Sequence, residues 1–207
     1  MSADRRVLFF GDSFVAGVGD PTARGWVGRV AEASCAAGLP FTPYNLGVRR
    51  ETSADVARRL VAEARPRMRD AAAHGVVICV GANDATVEDG RLRVEPHAAV
   101  RALSGMLGDS ARLGLSALLV GPAPAGEPAH DERIRELSAA FGVVAARHGV
   151  PFADVAGALG ANTAWCTEAA AGDGTHPGAG GYAELARLVL AGGWLEWLAG
   201  LQDARDA

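Results

Sequence analysis

The sequence predicts a three-layer α/β/α domain on a five-stranded parallel sheet, and three observations carry that expectation. Short apolar runs alternate with longer alanine-rich helical segments, which is how repeated βαβ units read in sequence. The apolar runs are continuous, as strands covered on both faces require. Glycines close several helical segments just before a strand begins.

The elements follow in order. Val7 to Phe10 is the first strand, closed by Gly11, and Trp26 to Ala37 is a helix ended by Gly38-Leu39-Pro40. A second strand runs from Thr42 to Leu46. Ser53, with Asp55 in the next turn, opens a helix over Ala54 to Ala73, ahead of a third strand from Val76 to Val80. Pro96 suits a first helical position and starts Pro96 to Leu113, which Gly114 stops before the strand Ala117 to Val120. Asp131 to His148 ends at Gly149, a short strand spans Val150 to Asp154, and a last helix runs from Gly180 to about Gly200. No repeat, charge block or low-complexity linker divides the chain, so residues 1–207 are expected to form a single domain.

Composition excludes several classes. With 49% hydrophobic and 21% charged residues and a formal charge of -4, the chain is an ordinary globule without general attraction for nucleic acid or anionic membrane. Lysine is absent, so every permanent side-chain cation is an arginine. Cys35, Cys79 and Cys166 are odd in number and lack CxxC spacing, which suggests free thiols rather than a disulfide or zinc framework. The start, Met1-Ser2-Ala3-Asp4-Arg5-Arg6, runs into an apolar stretch needed as a core strand, so neither a signal peptide nor membrane insertion is expected and the location read is cytoplasmic.

Chemistry gathers at the strand ends. Gly11-Asp12-Ser13-Phe14 follows the first strand, Asn45 to Thr52 the second, Gly81-Ala82-Asn83-Asp84 the third, and Asp173-Gly174-Thr175-His176-Pro177 comes late. In open α/β sheets active sites collect at the carboxyl ends of strands. Ser13 alone reads as a helix cap; as a nucleophile it needs a base. His176 is the candidate base, because its ordinary pKa lies near neutrality, and Asp173 stands three residues earlier, on one side of a helical turn, to orient the imidazole. Asn83 supplies a side-chain amide for a developing oxyanion.

These four blocks, in this order, resemble the SGNH hydrolases, or GDSL esterase/lipase family. The resemblance implies a flavodoxin-like fold with strand order 2-1-3-4-5, a catalytic Ser13, Asp173 and His176, and an oxyanion hole from the backbone N–H of Ser13, the backbone N–H of a block-two residue and the Asn83 amide. It implies hydrolysis of a small-molecule carboxylic ester through an acyl-serine, with no cofactor and no metal. Acyl transfer at the same site and a non-catalytic binding module are the alternatives. Block two departs from the pattern: aligned on Asn45 and Thr52, the usual glycine position holds Arg50, and Gly47 falls on a less critical site. Any positive φ there would strain an arginine, while its guanidinium could line the pocket and bind an acidic substrate group.

The remaining features have plainer readings. Asp12 organises its turn, Asp84 stabilises the loop behind Asn83, and Gly17-Val18-Gly19-Asp20-Pro21 is a flexible loop beside the nucleophile. His74, His97, His130 and His148 read as surface or interhelical residues on helices or loops. Trp165 falls in an irregular stretch and is expected to line the substrate pocket. The apolar stripe with Trp194 and Trp197 reads as packing, with a homo-oligomer contact as the second reading. A chain short of insertions suggests a small or short-chain acyl substrate.

Overall fold

The computed structural model describes residues 4–69 and 73–201. Met1-Ser2-Ala3, part of the basis for expecting no signal peptide, lies outside them, as do residues 70–72 of the expected Ala54 to Ala73 helix. In chain order the elements are β1 (Arg5–Gly11), α1 (Ser13–Ala16), α2 (Gly25–Ala36), β2 (Thr42–Gly47), α3 (Ser53–Arg67), β3 (Ala73–Cys79), β4 (Val87–Glu88), β5 (Arg91–Leu92) and α4 (Pro96–Arg112). They continue with β6 (Ser116–Val120), α5 (Pro128–His148), β7 (Phe152–Ala153), α6 (Ala156–Gly160), α7 (Thr163–Ala171), α8 (Ala179–Val189) and α9 (Leu195–Ala199).

Five strands make one parallel sheet in the order β2-β1-β3-β6-β7. Since β4 and β5 pair only with each other as a hairpin, this is the expected 2-1-3-4-5 order of the main strands. The pleat sorts successive side chains to opposite faces. Val7 and Phe9 of β1, with Val77 of β3 and Leu118 of β6, join the core layer of Trp26, Tyr182 and Trp194. Leu8, Phe10, Ile78 and Leu119 join the layer of Leu60, Leu103 and Phe141. Burial on both faces explains the continuous apolar runs, and it places all strand ends on one edge.

Several boundaries differ from the sequence expectation, each for a local reason. Helix α3 stops at Arg67, and Ala73, expected in that helix, is a buried strand residue opposite Arg5, because pairing with β1 outweighs the helix preference of an alanine run. Its cap is Thr52, not Ser53: Thr52 and Asp55 exchange backbone and side-chain hydrogen bonds in a capping box. Helix α5 begins three residues early, at Pro128, where the Glu127 carboxylate accepts from the backbone N–H of Ala129 and His130. His74 lies in β3 and is buried, not on a helix or loop.

The C-terminal helix is broken. Gly192 and Gly193 leave helical geometry, Gly193 at φ 91°, between α8 and α9. That turn brings buried Trp194 back onto Phe9, with ring centroids 5.8 Å apart, and lets its indole N–H donate to Ser34 Oγ at 2.8 Å. The tryptophan stripe is thus packed within the fold at Trp194. Among the described residues no helix is long and apolar enough to cross a membrane.

Candidate active site

Ser13 is placed by the end of β1. Gly11 closes that strand where a Cβ would stand 2.2 Å from the Cys79 carbonyl oxygen and 2.4 Å from Val15 Cγ2, so only glycine fits. The chain turns at Asp12, whose carboxylate accepts from the Phe14 N–H at 2.9 Å, and Ser13 becomes the first residue of α1. Its N–H therefore has no intrahelical acceptor and is a free donor at a helix start.

Ser13 Oγ lies 2.8 Å from His176 Nε2, and His176 Nδ1 lies 2.7 Å from Asp173 Oδ2. The three predicted side chains, drawn from two distant segments, meet in one hydrogen-bonded line. The carboxylate requires Nδ1 to carry the proton, which leaves the Nε2 lone pair for the serine hydroxyl. The Asp173–His176 turn is not helical as the spacing suggests. Instead Asp173 Oδ1 accepts from the backbone N–H of Thr175 and His176, at 3.0 and 2.8 Å, and Gly174 takes φ 85°. The His176 N–H bond, helped by its imidazole, lowers the Asp173 pKa to about 2, so this half-exposed carboxylate is ionised at neutral pH.

The loop after α1 is built for close approach rather than flexibility. Gly19, at φ 90°, lies where a Cβ would come within 2.7 Å of the Pro177 carbonyl oxygen and 3.0 Å of His176 Cβ. Asp20 fixes the loop by accepting from Arg29, Thr22 and the Gly25 N–H, and Tyr182 donates its hydroxyl to the Val18 carbonyl at 2.7 Å. The Phe14 ring packs 5.2 Å from the imidazole.

Block two is where the arginine shows its cost. Arg50 sits at φ 66°, a left-handed conformation that a non-glycine residue adopts at roughly 1–2 kcal/mol. This is the geometry a glycine would take freely. Arg93 Nη2 donates to the Arg50 carbonyl at 2.8 Å, and Arg93 Nη1 lies 3.4 Å from Asn83 Oδ1, so one guanidinium holds blocks two and three together. Arg50 extends its own guanidinium outward, 74% exposed, to Glu88 Oε1 at 2.9 Å. On the other side Arg59 pairs with Glu51 at 2.7 Å and donates to the Leu46 and Gly11 carbonyls, anchoring the loop to the strand ends. Gly47 is more than the incidental glycine expected, since a Cβ there would meet Ala16 N at 2.3 Å.

Asn83 faces the same cleft. Its Nδ2 donates to Asp12 Oδ2 at 3.1 Å and to the Glu51 carbonyl at 3.0 Å, so donation to a third acceptor takes the form of a three-centre bond. Burial pushes the Asp12 carboxyl up to about 7, opposed by the Phe14 N–H and raised further by the nearby Asp84 charge. Asp84 is itself raised by burial, and it accepts from the Ser53 N–H and hydroxyl, tying the block-three loop to the start of α3.

The cleft has a volume of about 560 Å³ and is bordered by Ser13, Arg50, Asn83, Asp173 and His176. Trp165 is a correction: it lies in α7, buried at 1% exposure, and stacks behind Phe14 at 5.6 Å while its indole N–H donates to the Pro124 carbonyl. Its place is support for the wall, not the wall itself. His130 corrects the other way, since it borders the cleft and its Nε2 lies 2.8 Å from the Ala82 carbonyl. Glu88 and Arg93 were not singled out in the sequence. Asp89-Gly90 signals only the turn of β4 into β5, with both residues at positive φ as a two-residue hairpin demands, and not the contacts of its flanking residues. Among the described residues no group of three or more His, Cys, Asp or Glu could hold a metal ion.

Residues 9–184 match the GDSL-like Lipase/Acylhydrolase family. No curated protein sequence matches the chain. A lipase/acylhydrolase from Enterococcus faecalis is 27% identical, covering 96% of this chain and 98% of its own, with a TM-score of 0.75. Two further structures share the fold. The psychrotrophic esterase EstA from Pseudoalteromonas sp. is 19% identical over 95% of this chain and 100% of its own, with a TM-score of 0.73. A catalytic mutant of Axe2, an acetylxylan esterase from Geobacillus stearothermophilus, is 20% identical over 95% and 97%, with a TM-score of 0.72. With the family match running over most of its length, from the first strand into α8, the chain belongs to the GDSL-like lipase/acylhydrolase family and is a carboxylic ester hydrolase.

Proposed function

We propose that the protein cleaves small or short-chain carboxylic esters through an acyl-serine intermediate, within one domain. The observation that carries this reading is the continuous line from Ser13 Oγ to His176 Nε2 at 2.8 Å and from His176 Nδ1 to Asp173 Oδ2 at 2.7 Å. Ser13 Oγ attacks the ester carbonyl as its proton passes to His176 Nε2, and Asp173, ionised, stabilises the imidazolium. The tetrahedral oxyanion accepts from Ser13 N–H, Arg50 N–H and Asn83 Nδ2. Collapse breaks the carbon–oxygen bond to the alcohol, which leaves with the proton from His176. Water then gives its proton to the same nitrogen and attacks the acyl-serine, releasing the carboxylic acid and restoring Ser13.

The cleft wall supports a compact substrate. Its lining residues are mostly polar or small, Asn83, Thr86, Gly126, Gly174 and Thr175 among them, with Phe14 and Pro128 the larger apolar ones. Cys35, Cys79 and Cys166 are free, which supports a cytoplasmic location. Ser13→Ala should abolish turnover of 4-nitrophenyl acetate and labelling by a fluorophosphonate, with unchanged circular dichroism. Wild-type turnover in that variant would sink the proposal.

A further inference from the structure

Arg49, Arg50 and Arg93 border the cleft with Glu88, Glu127 and Asp173, so its formal charges balance as a whole, and the imbalance lies on the wall where the three arginines gather around Glu88. Glu88 is shared by two guanidiniums, with Oε1 2.9 Å from Arg50 Nη2 and 3.7 Å from Arg93 Nε. Glu127 spends its carboxylate on the Ala129 and His130 N–H groups, and Asp173 is committed to His176. Each carboxylate that borders the cleft is therefore engaged. Arg49 borders the same cleft, is exposed, and among the described residues has neither an ion pair nor a hydrogen bond. It stands next to Arg50, whose exposed guanidinium shares its single counter-charge with Arg93. The surplus on this wall is cationic, and it is made wholly of guanidinium forks, whose geometry suits carboxylate and phosphate.

We propose that Arg49, with the exposed face of Arg50, forms a subsite for an anionic group, so that the favoured substrate is an ester bearing a carboxylate or phosphate on its acyl or alcohol part. This rests on the ester-hydrolase reading above. An anion there gains a partner without displacing one, since Arg49 has no bond to give up. A neutral ester leaves that charge to solvent. The attraction is partly screened, because the rim is open to water, so the preference should weaken with salt.

The test compares matched esters. In the acyl arm, kcat/KM for 4-nitrophenyl hydrogen glutarate is set against 4-nitrophenyl valerate; in the alcohol arm, glycerol 1-acetate 3-phosphate against glycerol 1-acetate. The anionic member should be favoured about tenfold or more in at least one arm, and the responding arm points to a carboxylate on the acyl part or a phosphate on the alcohol part. Arg49→Gln should bring that ratio close to one, mainly through KM, and 0.5 M NaCl should lower it in the wild type. Arg101→Gln removes the same charge from exposed α4 surface and should leave the ratio as it was. Equal kcat/KM in both arms, or a ratio that survives Arg49→Gln, overturns the subsite while leaving the hydrolase reading intact. Failure to turn over any of the four, with no fluorophosphonate labelling of Ser13, overturns both.

Discussion

Replacing Arg93 tests whether one guanidinium organises two of the proposed oxyanion donors. Its side chain is only 18% exposed, and it donates to the Arg50 carbonyl at 2.8 Å and approaches Asn83 Oδ1 at 3.4 Å. A hydrogen bond from a charged group contributes about 1.5–3 kcal/mol, and the longer contact adds little. Arg93→Ala should therefore cost about 2 kcal/mol and lower Tm by roughly 4–8 °C for a chain of this size. The catalytic effect should be larger than a packing loss would give. Deleting an oxyanion donor costs about a hundred- to a thousandfold, so loosening two of them should lower kcat by about tenfold to a hundredfold with little change in KM. Arg93→Lys, without the fork, should fall between.

The assay is steady-state hydrolysis of 4-nitrophenyl acetate by the wild type, Arg93→Ala, Asn83→Ala and the double variant. Coupling between the two sites above about 0.5 kcal/mol is expected for residues in one network. A second readout is rescue: Arg50→Gly in the Arg93→Ala background should recover stability, because the left-handed position at φ 66° no longer carries a side chain. If Arg93→Ala keeps kcat within twofold and the double variant is additive, the clamp is refuted.

Two other expectations follow from single contacts. Asp12 has its folded pKa raised to about 7, above an unfolded value of about 3.9, so its stabilising contribution is complete below about pH 4 and is lost as pH rises through 7. Asp12→Asn should gain stability relative to the wild type between pH 5 and pH 8, by about 2–3 kcal/mol in urea unfolding; a difference independent of pH contradicts this. Gly19→Ala places a Cβ 2.7 Å from the Pro177 carbonyl oxygen at a φ of 90°, and must push the His176 turn. A displacement of about 1 Å at a catalytic group costs on the order of a hundredfold, so kcat should fall by tenfold or more, and a variant within twofold of wild type would argue against it.

The sequence by itself determined the sheet and the side chains proposed to react. Val7 to Phe10 is apolar at every position because both faces of β1 are covered, and a strand so marked locates Ser13 at its end. Asp173 and His176 were legible because they are close in sequence and their types suit acid–base chemistry. Only the tertiary structure decided what surrounds them. Trp165 looked like a loop residue facing substrate, yet an asparagine cap at Asn162 starts α7 and buries the ring behind Phe14. Arg93 and Glu88 matter to Arg50 through contacts spanning about forty positions, 43 and 38 residues respectively, which no local pattern encodes. The same holds for the strain at Arg50: its residue type can be read from the chain, but its φ of 66° belongs to the turn closed by the Glu51 N–H on the Val48 carbonyl at 3.3 Å, whose Arg50 carbonyl Arg93 then holds.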